Sequence, residues 1–390
     1  MKYLYSLFIL LSIFSVFFSQ GDKNELNRIA FSFALGIDYA KEGYDVSLQL
    51  INPAALSGEK PIKNSPYIVY HATGKTIDIA LQRISVNMSR QLHLKQIQIV
   101  VIGEKLARER PIGKVTNYLI QSSYIPANAL VVTTRNINAY QLLEIFSPVE
   151  GFSGLEITNT LQKLGKNMPK TANDIKIDLI QEGQDLTLPY IHLKGELDKG
   201  ERQSNFETTK PTHIAYGGTA LFKGEKLHSY LEQRDSLYLY LLKRKAANFP
   251  LEGTCPRENN QNFAFMVSNS YPKIADIKII NNEIIYTFDL RLSGTISQYN
   301  CQANLTDPNT IEKLNVQIEK SINNHVQYIT NVSKNNGIDS LGLGLILEKY
   351  DSRKWNKVKT KWPSRIKQIK IKIKTHINVQ NLGDFKVRGD

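Results

Sequence analysis

The sequence predicts an α/β (α+β) multidomain fold, and three observations carry that expectation. Ile97 to Ile102 is a near-continuous Ile/Val run between helical patterns, the mark of a strand buried on both faces. Phe263 to Ser268, Ile274 to Ile280 and Glu283 to Leu292 alternate apolar and polar residues around a tight Asn281-Asn282 turn, which describes an antiparallel meander. Asp307-Pro308 then opens a helix to about Ser333, with Ile311, Leu314, Ile318, Ile322, Val326 and Ile329 on one face. That helix should cover the meander.

In chain order, Phe31 to Asp38 and Val46 to Ile51 flank Lys41-Glu42-Gly43 and read as a hairpin. Pro66 to Tyr70 is a further strand. Thr76 precedes a helix with Ile77, Ala80, Leu81 and Ile84 at i, i+3, i+4, i+7 spacing. After the buried strand come a helix from Glu104 to Gln121 and a strand from Ala129 to Thr133. Helices follow at Ala139 to Phe146, Leu155 to Leu164 and Thr171 to Gln181, then a strand from Leu186 to Leu193. Asp198 to Asn205 is polar enough for a loop or linker. Strands at Ile214 to Phe222 and Lys226 to His228 and a helix from Glu232 to Lys243 lead into the meander. The last strand, Ile369 to Ile377, has strict period two, with isoleucines on one face and lysines on the other.

Tyr3 to Phe18 is an apolar run behind a single lysine, followed by Ser19-Gln20-Gly21. As a helix it is about 24 Å long at ~1.5 Å per residue, short of the ~30 Å hydrocarbon core. It reads as an export signal cleaved before Asp22, or as a short retained signal-anchor. About 370 further residues are more than one core usually organises. The expected division is 1–21 as leader, 22–197 as an N-terminal α/β region of one or two subdomains, 198–212 as linker and 213–390 as a C-terminal α/β domain. A hydrophobic content of 42% with 22% charged residues excludes extensive disorder.

The net charge is +13, and Glu348 to Asp390 carries 13 Lys/Arg against four acids. Such an end suits anionic lipid headgroups, an acidic partner or nucleic acid, and export disfavours the last. Lys357, Lys359, Lys361, Lys370, Lys372 and Lys374 are the candidate membrane or partner contacts. The strand lysines have a second reading as a solvated face that discourages edge pairing.

Signals for catalysis are thin. His71, His93, His192, His213, His228, His325 and His376 form no HxxxH or HExxH pair. Gly151-Phe152-Ser153-Gly154 lacks the spacing of a nucleophile elbow. Gly342-Leu343-Gly344 has Leu347 where the third glycine of a dinucleotide loop belongs. No catalytic residue, cofactor site or metal site is expected, and the chain is read as a non-enzyme. Trp355 and Trp362 among lysines suit an amphipathic or core-plus-surface pattern as well as base stacking. Cys255 and Cys301 match no zinc spacing, and either a disulfide permitted by export or two buried thiols fits them.

Taken together, Asp22-Lys23-Asn24-Glu25-Leu26-Asn27, Ala34-Leu35-Gly36-Ile37-Asp38, Val46 to Pro53, Val101 to Ala107, Gly218 to Lys223, Leu341-Gly342-Leu343-Gly344 and Lys349-Tyr350 to Trp355 resemble the Ger(x)C spore germination proteins, the C subunits of nutrient germinant receptors. The order and spacing of these stretches carry the likeness more than any one motif. The resemblance implies mixed sheets with packed helices. It also implies an exported, non-enzymatic subunit on the outer face of the spore's inner membrane, working with integral-membrane A and B subunits. Family members carry a diacylated cysteine after the leader, and Gln20 occupies that position here. Without the lipid, attachment falls to a retained leader or to docking on subunits A and B. Lysine attraction to the membrane, about 1 kcal/mol per residue near the surface, would assist. An alternative is an exported membrane-associated protein that itself binds the small nutrient.

Overall fold

All four residues of Ile99–Ile102 are buried, and the larger of two sheets is assembled around them. The computed structural model describes residues 28–52, 65–164, 168–243, 248–256, 261–305 and 307–381. The leader and Gln20 lie outside the described residues.

The strands in chain order are β1 (Ile29–Ala40), β2 (Gly43–Ile51), β3 (Tyr67–Gly74), β4 (Gln91–His93), β5 (Ile99–Ile102), β6 (Leu130–Thr134), β7 (Lys170–Thr171), β8 (Thr187–Lys194), β9 (His213–Lys223) and β10 (Lys226–Glu232). β11 (Phe249–Thr254), β12 (Asn262–Ile280), β13 (Glu283–Tyr299) and β14 (Ile369–Asn381) follow. The first sheet runs β10-β9-β8-β6-β5-β1-β2-β3, with β4 beside β1 and β7 beside β6. Its centre, β1, β5, β6 and β8, is parallel, and antiparallel hairpins close both ends. Helices must then cover both faces of that centre, which is why β5 reads as an unbroken apolar run.

The helix Ile77–Val86 buries the four expected residues, and the Thr76 side chain accepts from the Ile79 N–H at 3.2 Å. The helix expected from Glu104 to Gln121 is two, Glu104–Glu109 and Gly113–Gln121. Arg110 is extended (φ −126°, ψ 149°) because the ring of Pro111 disfavours helical backbone in the residue before it. Its guanidinium, turned aside by the break, donates to the carbonyls of Ala40 at 2.7 Å and Lys41 at 3.2 Å and ties down the β1–β2 turn.

The polar stretch 198–212 is ordered. Leu197–Gly200 and Gln203–Phe206 are short helical turns, and buried Asn205 donates to the carbonyls of Phe146 and Thr212, both at 2.8 Å. Beyond it β9 pairs with β8, so the β9–β10 hairpin extends the first sheet. The chain passes to the second sheet only after β10, through the helix Gln233–Leu242.

The second sheet runs β11-β12-β13-β14. The two expected runs 263–268 and 274–280 are one strand, β12, which passes through Pro272 where β11 no longer flanks it. A proline lacks the N–H that a central strand needs, so such a stretch is where it can sit. β14 pairs parallel with β13, which makes this sheet mixed as well. A parallel pairing requires a crossover, supplied by the helices between Pro308 and Arg365.

The long helix Pro308–Asn336 lies on one face of this sheet. Asp307 caps it by accepting from the Asn309 N–H at 3.0 Å, and Gly337 ends it in the left-handed region (φ 61°). Leu314, Ile318, Ile322, Val326 and Ile329 are buried against β13 and β14 side chains, while Ile311 is only half-buried. Each fully buried side chain of this kind contributes about 1.5–3 kcal/mol.

Candidate interaction surface and the junction between the sheets

The chemistry-bearing side chains are dispersed. His325 Nδ1 lies 2.9 Å from Asp235 and its ring stacks on Tyr238, whereas His71 lies 3.3 Å from Asp45 in the other half of the chain. Among the described residues, no group of three or more His, Cys, Asp or Glu side chains is arranged to hold a metal. Cys255 and Cys301 are disulfide-bonded and join the end of β11 to the residues just past β13. Trp355 and Trp362 are both buried and meet edge to face at 5.1 Å. Their rings belong to the core, so they offer no stacking platform.

The densest polar arrangement joins the two sheets. Asp339, in the turn after the long helix, is buried and accepts from the N–H groups of Leu343 (2.8 Å) and Gly344 (2.9 Å) and the indole Nε1 of Trp362 (3.0 Å). Asp185, just before β8, accepts from the Asp339 N–H at 2.7 Å and from the Gly224 N–H at 3.3 Å. Burial pushes the Asp339 carboxyl up to about 6 against the pull of its donors, and burial raises Asp185 too. Gly183 and Gly344 make the approach physically possible. A Cβ on Gly344 would meet the Gly183 Cα at 2.6 Å and the Trp362 ring at 2.7 Å. Sequence reading noticed the glycines of Leu341-Gly342-Leu343-Gly344 and missed the two aspartates, because nothing local marks a carboxylate that will meet a distant loop.

The six candidate lysines are all exposed, yet the fold separates them into two groups. Lys370, Lys372 and Lys374 alternate along β14 with buried Ile369, Ile371 and Ile373. Lys357, Lys359 and Lys361 belong to the segment whose Trp355, Val358 and Trp362 pack into the same core as those isoleucines. The two triads therefore lie on opposite sides of the β14 layer and make no common patch.

A third cluster sits past the carboxyl ends of the parallel strands, where ligands of open α/β sheets commonly bind. Arg135, directly after β6, donates to Glu232 at 2.6 Å and to the Tyr190 hydroxyl at 2.9 Å, and lies over the Tyr230 ring. Glu232 and the Tyr190 hydroxyl hold this guanidinium protonated, and Arg135 in turn lowers Glu232. A cleft of about 500 Å³ beside it is lined by Gln141, His192, Leu197 and Glu232.

Two consecutive family models match the sequence, the spore germination protein N-terminal domain over residues 22–193 and the spore germination B3/GerAC-like C-terminal domain over residues 217–383. The chain belongs to the Ger(x)C spore germination protein family. Spore germination protein KC of Bacillus subtilis (strain 168) is 24% identical over 374 residues, covering 93% of this chain and 91% of the relative. A second Bacillus subtilis (strain 168) protein, named "Putative spore germination protein YfkR", is 23% identical over 283 residues, or 71% and 70% of the two chains. The crystal structure of the GerBC protein superposes with a TM-score of 0.55 at 16% identity, over 89% of this chain and 97% of that one. This likeness is one of fold. In this Ger(x)C chain the gap between the two matched domains, residues 194–216, contains the polar segment pinned by Asn205.

Proposed function

We propose that the chain is the C subunit of a nutrient germinant receptor. It is exported, non-catalytic and membrane-associated, and acts through contact with integral-membrane A and B subunits. The observation that carries this reading is the pair of consecutive family domains spanning residues 22–193 and 217–383. No helix of the described residues is long and apolar enough to cross a membrane, so attachment is assigned to the leader, to the partner subunits or to the surface. Deleting the gene should abolish germination in response to particular nutrients, and a tagged chain should co-purify with the A and B subunits from spore membranes. Normal germination with every nutrient, in a strain lacking redundant receptors, would defeat the reading.

The cleft beside Arg135 favours a second reading, in which the chain itself captures a small polar nutrient. Calorimetry of the purified chain with germinants decides it, since absence of heat with any of them leaves only the contact role.

A further inference from the structure

β12, β13 and β14 bury one face under the long helix and leave the other open. Strand register places Lys278, Ile285 and Lys370 in one row of that open face, and Asp276, Thr287 and Lys372 in the next. Lys273, Asp289 and Lys374 form the third row, and Tyr271, Arg291 and His376 the fourth. Six cations from three strands thus stand with two carboxylates on a surface about 20 Å long and 10 Å wide, taking ~6.8 Å between rows and ~4.8 Å between strands.

The charges of this face are mixed but unbalanced, six cations against Asp276, Asp289 and, at the rim, Glu283. Asp276 takes up Lys278 at 3.3 Å, Asp289 takes up Arg291 at 3.5 Å, and Glu283 takes up Lys370 at 2.8 Å. Lys273, Lys372 and Lys374 have no salt bridge among the described residues and are exposed. Tyr271, 60% exposed, adds an aromatic ring at one end.

We propose that this open face docks on an anionic phospholipid surface. Five of the six cations are lysines, which protein interfaces avoid in favour of arginine, whereas diffuse headgroup charge is well met by ammonium groups. The apolar run Tyr3 to Phe18 reads as a leader that would bring the chain to a bilayer. The inference rests on the membrane-associated placement in the proposed function and deepens it. It excludes Lys357, Lys359 and Lys361, which lie on the other side of the layer.

The test mixes the full chain with vesicles carrying a headgroup energy-transfer acceptor. A donor dye is attached at Thr287→Cys, in the middle of the face, or at Lys357→Cys as the opposite side. Transfer from position 287 should be high with 30% phosphatidylglycerol and low with phosphatidylcholine alone, and should fall at 0.5 M salt. The triple variant Lys273→Gln, Lys372→Gln, Lys374→Gln should reduce the docked-to-free ratio by about fivefold per lysine, on the order of a hundredfold in all. The triple Lys357→Gln, Lys359→Gln, Lys361→Gln should leave it unchanged. Equal transfer in the two lipids, indifference to the first triple, or a closer approach from position 357 overturns the proposal, and the first of these is what an acidic protein partner for the face would give. The deletion phenotype reads the receptor role separately, so either conclusion can fail alone.

Discussion

Asp185 and Asp339 form a reciprocal pair. The Asp185 carboxylate accepts from the Asp339 N–H at 2.7 Å, and the Asp185 N–H donates to the Asp339 carbonyl at 3.0 Å. These bonds join the first sheet to the turn that follows the long helix of the second. The Asp185 carboxylate is spent on backbone donors and that of Asp339 on backbone donors and the Trp362 indole, so the junction is a structural latch.

The latch makes stability depend on pH. An unfolded Asp339 gives up its proton near 3.8, while burial holds it to about 6 in the folded chain. Between these values the native state binds more protons, so this group's stabilisation is full at low pH and is lost as pH rises from about 4 to 6, by roughly 3 kcal/mol. Asp185 and Asp38, also raised by burial, act with the same sign. Urea midpoints at pH 4.5 and pH 7 should fall further apart in the wild type than in Asp339→Asn. Parallel curves would refute the assignment.

Trp362→Phe removes one donor from a buried carboxylate together with part of a buried ring, whose packing loss is the same at every pH. Hydrogen bonds to charged groups contribute about 1.5–3 kcal/mol, so the variant's loss above pH 7 should exceed its loss near pH 4 by about that much. The pH window of Asp339 should move upward in the same titration.

Gly344→Ala should destabilise by about 1–3 kcal/mol, because the new methyl meets backbone at Gly183 that has no room to retreat. Differential scanning calorimetry gives the readout. An unchanged melting temperature would show that the two loops are not held as close as described.

Replacing both cysteines, Cys255→Ser with Cys301→Ser, opens a loop with a sequence separation of 46. By the chain-entropy estimate this costs about 4 kcal/mol. Proteolysis under native conditions should then cut first around β11 and the end of β13, while the first sheet stays protected.

Local pattern settled the elements with strong periodicity. Ile77, Ala80, Leu81 and Ile84, the buried β5, the capped long helix and the isoleucine–lysine alternation of β14 were all legible, because each depends on residues within a few positions of one another. The order and spacing of short stretches along the whole chain made the family resemblance readable. Local pattern overran the break at Pro111, where the residue before the proline cannot stay helical.

Only the tertiary structure decided which strands pair and which side chains meet. Pairing of β9 with β8 carries the polar 198–212 segment into the first sheet's edge. Parallel pairing of β14 with β13 sets Lys372 and Lys374 beside Lys273 and away from Lys357. The Asp185–Asp339 latch joins residues 154 positions apart. No window of sequence contains such a pair, since what brings it together is burial of two apolar sheet faces and the need of every N–H enclosed between them for an acceptor.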